Sequence, residues 1–114
     1  MGTIKTIFLD NGKFLKVTTT KSKIDVSDIL DYDVLLIKWT LNDSASEKSP
    51  WKIAFVDIKT SFKLGLIYQF ADIYEGGNTW QSLNIAIYNN YIEYWSAATV
   101  FPTAHMKWVV AIKY

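Results

Sequence analysis

The sequence holds no cysteine, two prolines, five glycines and one histidine among its 114 residues. Without cysteine there is no disulfide framework and no thiolate metal site. So few prolines and glycines exclude a low-complexity or disordered chain. A single histidine removes the paired imidazoles of HExxH-type metal sites. Charge of one sign is also lacking: twelve basic residues nearly cancel eleven acidic ones, for a net charge of +1. That balance argues against a nucleic-acid partner, whose footprint is a basic stripe. No apolar run approaches the ~18 residues of a membrane span. The start, "MGTIKTIFLD", has no apolar stretch leading to a small-residue cleavage site, so no signal peptide is expected. Met1-Gly2 with Thr6 fits the spacing of a myristoylation start, but Thr6 reads better as a strand residue.

Aromatic residues are what the chain has in quantity. Trp, Tyr and Phe make up 16% of it, and such side chains suit pleated, half-buried surfaces. Period-two alternation recurs along the whole length. "TIKTIFL" and "KFLKVTT" flank Asn11-Gly12, the strongest short hairpin signal. "SKIDVSDILDYD" is turn-rich, with room for one helical turn capped by Ser27. "VLLIKWTL" is apolar on both faces and reads as a central strand. Residues 42 to 50, "NDSASEKSP", form the clearest loop. "WKIAFVDI" sets Trp51, Ile53 and Phe55 on one side. "FKLGLIYQFADIY" places Phe62, Leu64, Leu66, Tyr68 and Phe70 on one face of a predicted strand, with Gly65 marking a bulge or a close approach. "EGGN" is a turn, and "SAATVFPTAH" is a loop before a last strand, "MKWVVAIKY", with Met106, Trp108, Val110, Ile112 and Tyr114 on one side. These segments predict one all-β domain over 1–114: an antiparallel β-sandwich or jelly roll of about eight strands, with no helix.

"LNIAIYNNYIEYW", residues 83 to 95, carries the functional question. With Asn89-Asn90 as the turn, Tyr88 faces Tyr91, Ile87 faces Ile92, Ala86 faces Glu93, Ile85 faces Tyr94 and Asn84 faces Trp95. One face then collects Leu83, Ile85, Ile87, Ile92 and Tyr94, which is a core face. The other gathers Trp80, Ser82, Asn84, Ala86, Tyr88, Tyr91, Glu93 and Trp95, mixing four large rings with amide, hydroxyl and carboxylate groups. A one-residue slip would scramble both sets. Three readings of the mixed face stay open. It can pack under another sheet or loop. It can be an oligomer interface, where Tyr and Trp bring area and a polar handle. It can be a saccharide platform, in which rings stack on pyranose C–H faces while Asn84 and Glu93 bond hydroxyls. The site residues are therefore Trp80, Asn84, Tyr88, Tyr91, Glu93 and Trp95.

Catalytic readings are weaker. His105 has no nucleophile signature beside it. Asp72, Glu75 and Glu93 supply carboxylates, but so short a chain leaves little room for a glycosidase cleft. Asp25, Asp28, Asp31 and Asp33 lack the glycine and closing glutamate of an EF-hand loop, and turn formation explains them. No metal, cofactor or enzymatic activity is expected.

"KIDVSDILDYDVLLIKW", residues 23 to 39, resembles a segment of small virion domains of tailed phages. There a short strand of the type I-T-V/L-S leads through a serine-leucine turn into N-Y-D and an apolar strand. Ser27, Leu30, Tyr32, Asp33, Val34, Leu35 and Leu36 stand at the matching places. "WVVAIKY" resembles the closing strand of the same domains, ending Ile112-Lys113-Tyr114 where the family often has I-Y-G. The resemblance implies a non-enzymatic tail-fibre, baseplate or related module, located in the virion and assembled in the host cytoplasm. Such modules are commonly trimeric, touch other virion proteins and sometimes bind host saccharide. The family offers no fixed ligand residues. The alternative is a small regulatory protein that binds and inhibits a partner protein.

Overall fold

The computed structural model describes residues 2–9, 14–41, 51–73, 80–96 and 104–114, at 72, 73, 80 and 81 through the backbone alone. Nine strands run through it: β1 Thr3–Leu9, β2 Leu15–Val17, β3 Ser22–Asp25, β4 Val34–Leu41, β5 Lys52–Asp57, β6 Ile67–Ile73, β7 Trp80–Ile87, β8 Tyr91–Trp95 and β9 Ala104–Lys113. They form two antiparallel sheets. One has the order β1-β9-β4-β5, with β2 also on β9, and the other the order β3-β8-β7-β6. The sheets pack face to face around one core, making the all-β sandwich that the alternation predicts. The large sheet contributes Leu35, Ile37, Trp39, Val56 and Val109, and the small sheet Leu83, Ile85, Ile87, Ile92 and Tyr94, all buried.

Several sequence expectations are corrected. Asn11-Gly12 lies outside the described residues, but the strands beside it do not pair as a hairpin. Both lie along β9: Thr3–Leu9 against Lys113–Trp108, and Leu15–Val17 against Met106–Ala104. The two are collinear pieces of one edge, because β9 is long enough to template both. The helical turn after β3 is a 3₁₀ turn, Ile29–Asp31, preceded by Asp28 with no side-chain cap, so Ser27 does not cap it. The loop 42–50 lies outside the described residues.

The largest correction concerns residues 58–66. They are not strand: α1, Ile58–Leu64, joins the edge of the large sheet to the edge of the small one. Its signals are at its ends. The Asp57 carboxylate accepts the Thr60 N–H at 2.9 Å, satisfying one of the free donors of the first turn. Gly65 is left-handed (φ 64°, ψ 32°), and the Leu66 N–H reaches back to the Ser61 carbonyl at 3.0 Å. Gly65 is thus a helix stop, not a bulge. Phe62, Leu64 and Leu66 are exposed, and only Tyr68 and Phe70 of the predicted face pack against the core from β6.

A bulge in β9 overturns a second face. Lys38 pairs with Trp108, but Trp39 pairs with Met106, so Lys107 is an extra residue. Parity flips there: Met106 is 1% exposed in the core, while Trp108 turns outward and is only half-buried. His105, expected in a loop, belongs to β9 and is 8% exposed, opposite Thr40. Asp33 ties the start of β4 to its surroundings. Its carboxylate accepts from the Tyr114 N–H at 2.8 Å and from Lys59 Nζ at 2.7 Å, while its own carbonyl accepts the Ile58 N–H at 2.9 Å.

Candidate functional site

The hairpin has the register deduced above: Asn84 opposite Trp95, Ile85 opposite Tyr94, Ala86 opposite Glu93 and Ile87 opposite Ile92. The Tyr88 N–H donates to the Tyr91 carbonyl at 2.9 Å and closes the Asn89-Asn90 turn. Neither asparagine has a positive φ, so the turn is not a type I′ turn. Instead the Val26 N–H donates to the Asn90 carbonyl at 2.9 Å, bracing the turn against the end of β3.

On the outer face of the small sheet the side chains fall into rows. Tyr88 and Tyr91 stack at 4.6 Å between ring centroids and 14° between planes. Lys23, from β3 on the far side of Tyr91, places its ammonium 5.2 Å from the Tyr91 centroid. The Tyr91 ring is therefore flanked on both sides, and the outer ring available for stacking is Tyr88, which is 39% exposed. In the next row, Lys23, Glu93, Ala86 and Ile67 stand opposite one another in register. The Tyr88 hydroxyl donates to Glu93 Oε1 at 3.4 Å. Burial, then the Glu93 and Tyr91 charges, push the Tyr88 phenol above its usual pKa, so it stays a neutral donor. One row further, Lys21 sits 4.7 Å over the Trp95 ring, and Asn84 stands between Trp95 and Gln69. Cation–π contacts of this kind fix the long lysine chains against the rings.

Ser82, Asn84 and Ala86 are each at most 6% exposed. On this inner strand Asn84 stands between Gln69 and Trp95, and Ala86 between Ile67 and Glu93, larger side chains that cover them. Asn84 Oδ1 is buried and accepts no hydrogen bond among the described residues, which costs about 1–3 kcal/mol.

The structure thus brings together Asn84, Tyr88, Tyr91, Glu93 and Trp95 on one face. Trp80 begins β7, and its side chain lies outside the described residues. Sequence reasoning missed Lys21 and Lys23. The alternation of Lys21, Lys23 and Asp25 was visible, but only the pairing of β3 with β8 puts the lysines over these rings. The four aspartates of 25–33 do not converge. Asp28 is held by Lys5 Nζ and Asp33 by Lys59 Nζ, and both carboxyls are lowered chiefly by those bonds. Among the described residues no group of three His, Asp or Glu side chains is placed to hold a metal ion, and no helix is long and apolar enough to cross a membrane. Glu75 lies outside the described residues, as does the side chain of Asp72.

Rings, ammonium groups, a carboxylate and an amide in adjacent rows can stack on an apolar face and bond the hydroxyls around it. No protein-family model, no curated protein and no solved structure matches this chain.

Proposed function

We propose that the chain is a non-enzymatic structural module of a phage tail fibre, baseplate or similar virion part. Its contact surface is the outer face of the small sheet, and host-surface saccharide or a neighbouring virion protein is what it touches. The virion assignment rests on the resemblance of residues 23–39 and 108–114. The contact surface rests on one observation: the stacked Tyr88–Tyr91 pair, held between Glu93 and Lys23, beside Trp95 with Lys21 over its ring. A stack of partly exposed rings costs solubility, and a bound partner offsets that cost.

Mass spectrometry of purified particles tests the first part: a chain absent from them is not a virion component. A glycan array tests the second, with Tyr88→Ala expected to lose whatever signal the natural chain gives. A regulatory protein that inhibits a partner is the second reading, favoured by the same face because Tyr and Trp also anchor protein contacts. The particle measurement separates the two, since only the first requires the chain in the virion.

A further inference from the structure

We propose that the outer face of the five-stranded sheet is a homotypic interface, on which a second copy of the chain packs sheet to sheet about a two-fold axis. This surface is on the opposite side of the sandwich from the Tyr88–Tyr91 face and does not depend on what that face binds. Its middle row runs Thr6, Val110, Leu36, Phe55 across four strands. The rows beside it carry Ile53 next to Lys38 and Ile4 next to Ile112. Phe55 is 53% exposed, Ile53 54% and Ile4 68%. Alternation gives a one-sided sheet its polar residues on the water side; here that side is mostly apolar, with Thr6, Lys38 and Asp57 its polar members in these rows.

The occupant follows from shape, charge and area. The face belongs to regular paired strands, and the natural cover for it is a second sheet ~10 Å away. Lys38 stands two residues from Leu36 on one side of the middle row, and Asp57 two residues from Phe55 on the other. Rotation by a half turn about the middle row exchanges those two sides. Each Lys38 then lies over the partner's Val34 position, one strand away from the partner's Asp57. The two charges of the face thus find opposite charges in a copy of itself, which is what an isologous contact requires. With a net charge of +1, two copies repel each other little. Four strands ~4.8 Å apart and six residues rising ~3.3 Å each give roughly 380 Å² in projection, and side-chain relief adds to it. The largest apolar patch of a typical monomer is about 300–600 Å², and it is often a functional surface. Two such faces together reach the small end of specific interfaces, near ~1,000 Å² in total. The expected complex is therefore a dimer of micromolar affinity rather than a permanent one.

Sedimentation velocity of the full chain over about 1–100 μM reads this directly. The natural chain should pass from monomer to dimer across that range, and Phe55→Lys should remain monomeric throughout. Ile67→Lys makes the same kind of change at an apolar position 58% exposed on the other sheet, and it should dimerise like the natural chain. Circular dichroism checks that each variant is folded, and Ile53→Lys replaces Phe55→Lys if the latter is not. A natural chain that stays monomeric to the top of the range overturns the proposal. So does a trimer, or a dimer that Ile67→Lys dissolves and Phe55→Lys leaves intact.

Discussion

Truncating Trp95 and truncating Ile85 should have different signatures, although the two residues are on neighbouring, paired strands. Ile85 is fully buried in the core, and deleting such a side chain to alanine costs about 2–5 kcal/mol. Total stability for a domain is only about 5–15 kcal/mol. At roughly 4 °C per kcal/mol for a chain of this size, Ile85→Ala should lower Tm by about 8–20 °C. Trp95 is half-buried on the outer face. It hides about half of its ~200 Å², worth at most ~2.5 kcal/mol at ~25 cal/mol per Å². The Lys21 contact adds about 0.5–1 kcal/mol. Packing of the remaining neighbours recovers part of this, so Trp95→Ala should cost about 1–2.5 kcal/mol, or some 4–10 °C. If Trp95 is an anchor of the contact face, its loss should weaken binding by about 2 kcal/mol, close to thirtyfold. Thermal melts by circular dichroism and glycan or partner binding, measured on both variants, make the comparison. Equal destabilisation of the two with binding unchanged would refute the reasoning: the rings of this face would then be ordinary packing.

Gly65→Ala should cost about 1 kcal/mol, from the left-handed backbone alone, because a Cβ there meets nothing within 4 Å; an unchanged Tm would mean the helix end relaxes without strain. Asn84→Leu should raise Tm, by removing a buried acceptor that has no donor among the described residues, worth about 1–3 kcal/mol; a lower Tm would show the amide to be satisfied. Lys59 and the Tyr114 N–H hold the Asp33 carboxyl below its ordinary value of 3.8, so its stabilising effect is present above that value and is lost as pH falls through the lowered one. Asp33→Asn should therefore lower Tm at pH 7 and converge on the natural chain in strong acid. A difference that persists there would assign the effect to packing rather than charge.

The hairpin was legible in the sequence because two independent signals agreed, a period-two alternation and a two-residue polar turn, and only one register satisfied both. Helix α1 was not, because Phe62, Leu64, Leu66, Tyr68 and Phe70 alternate as a strand would. The deciding information was at the termini, in Asp57 and Gly65, and a seven-residue helix has too few turns to show its own periodicity. Asn11-Gly12 misled for a different reason: turn chemistry is local, whereas the partner of both flanking strands is β9, some ninety residues on. The bulge at Lys107 inverted the outward set of β9, and no residue type announces such an insertion. Within the candidate site, the hairpin residues could be grouped from their own spacing. Lys21 and Lys23 could not, since which strand lies beside β8 is a property of the whole topology.

Strand β9 sets the order in which the molecule can assemble. It is the neighbour of β1, β2 and β4 at once, and its Lys113 pairs with Thr3 of β1. Until Ala104–Lys113 is available, β1 and β2 have no ladder partner and β4 is an edge with only β5 beside it. The β7–β8 hairpin, by contrast, needs only adjacent residues. On a ribosome β1 and β2 wait through the synthesis of many further residues with their backbone groups unpaired, whereas the small sheet's hairpin can close as soon as its own second strand is made. Such long-range closure slows folding, and waiting strands are open to pairing with the wrong chain. Refolding rate should therefore respond to weakening of β9 far more than to weakening of the hairpin.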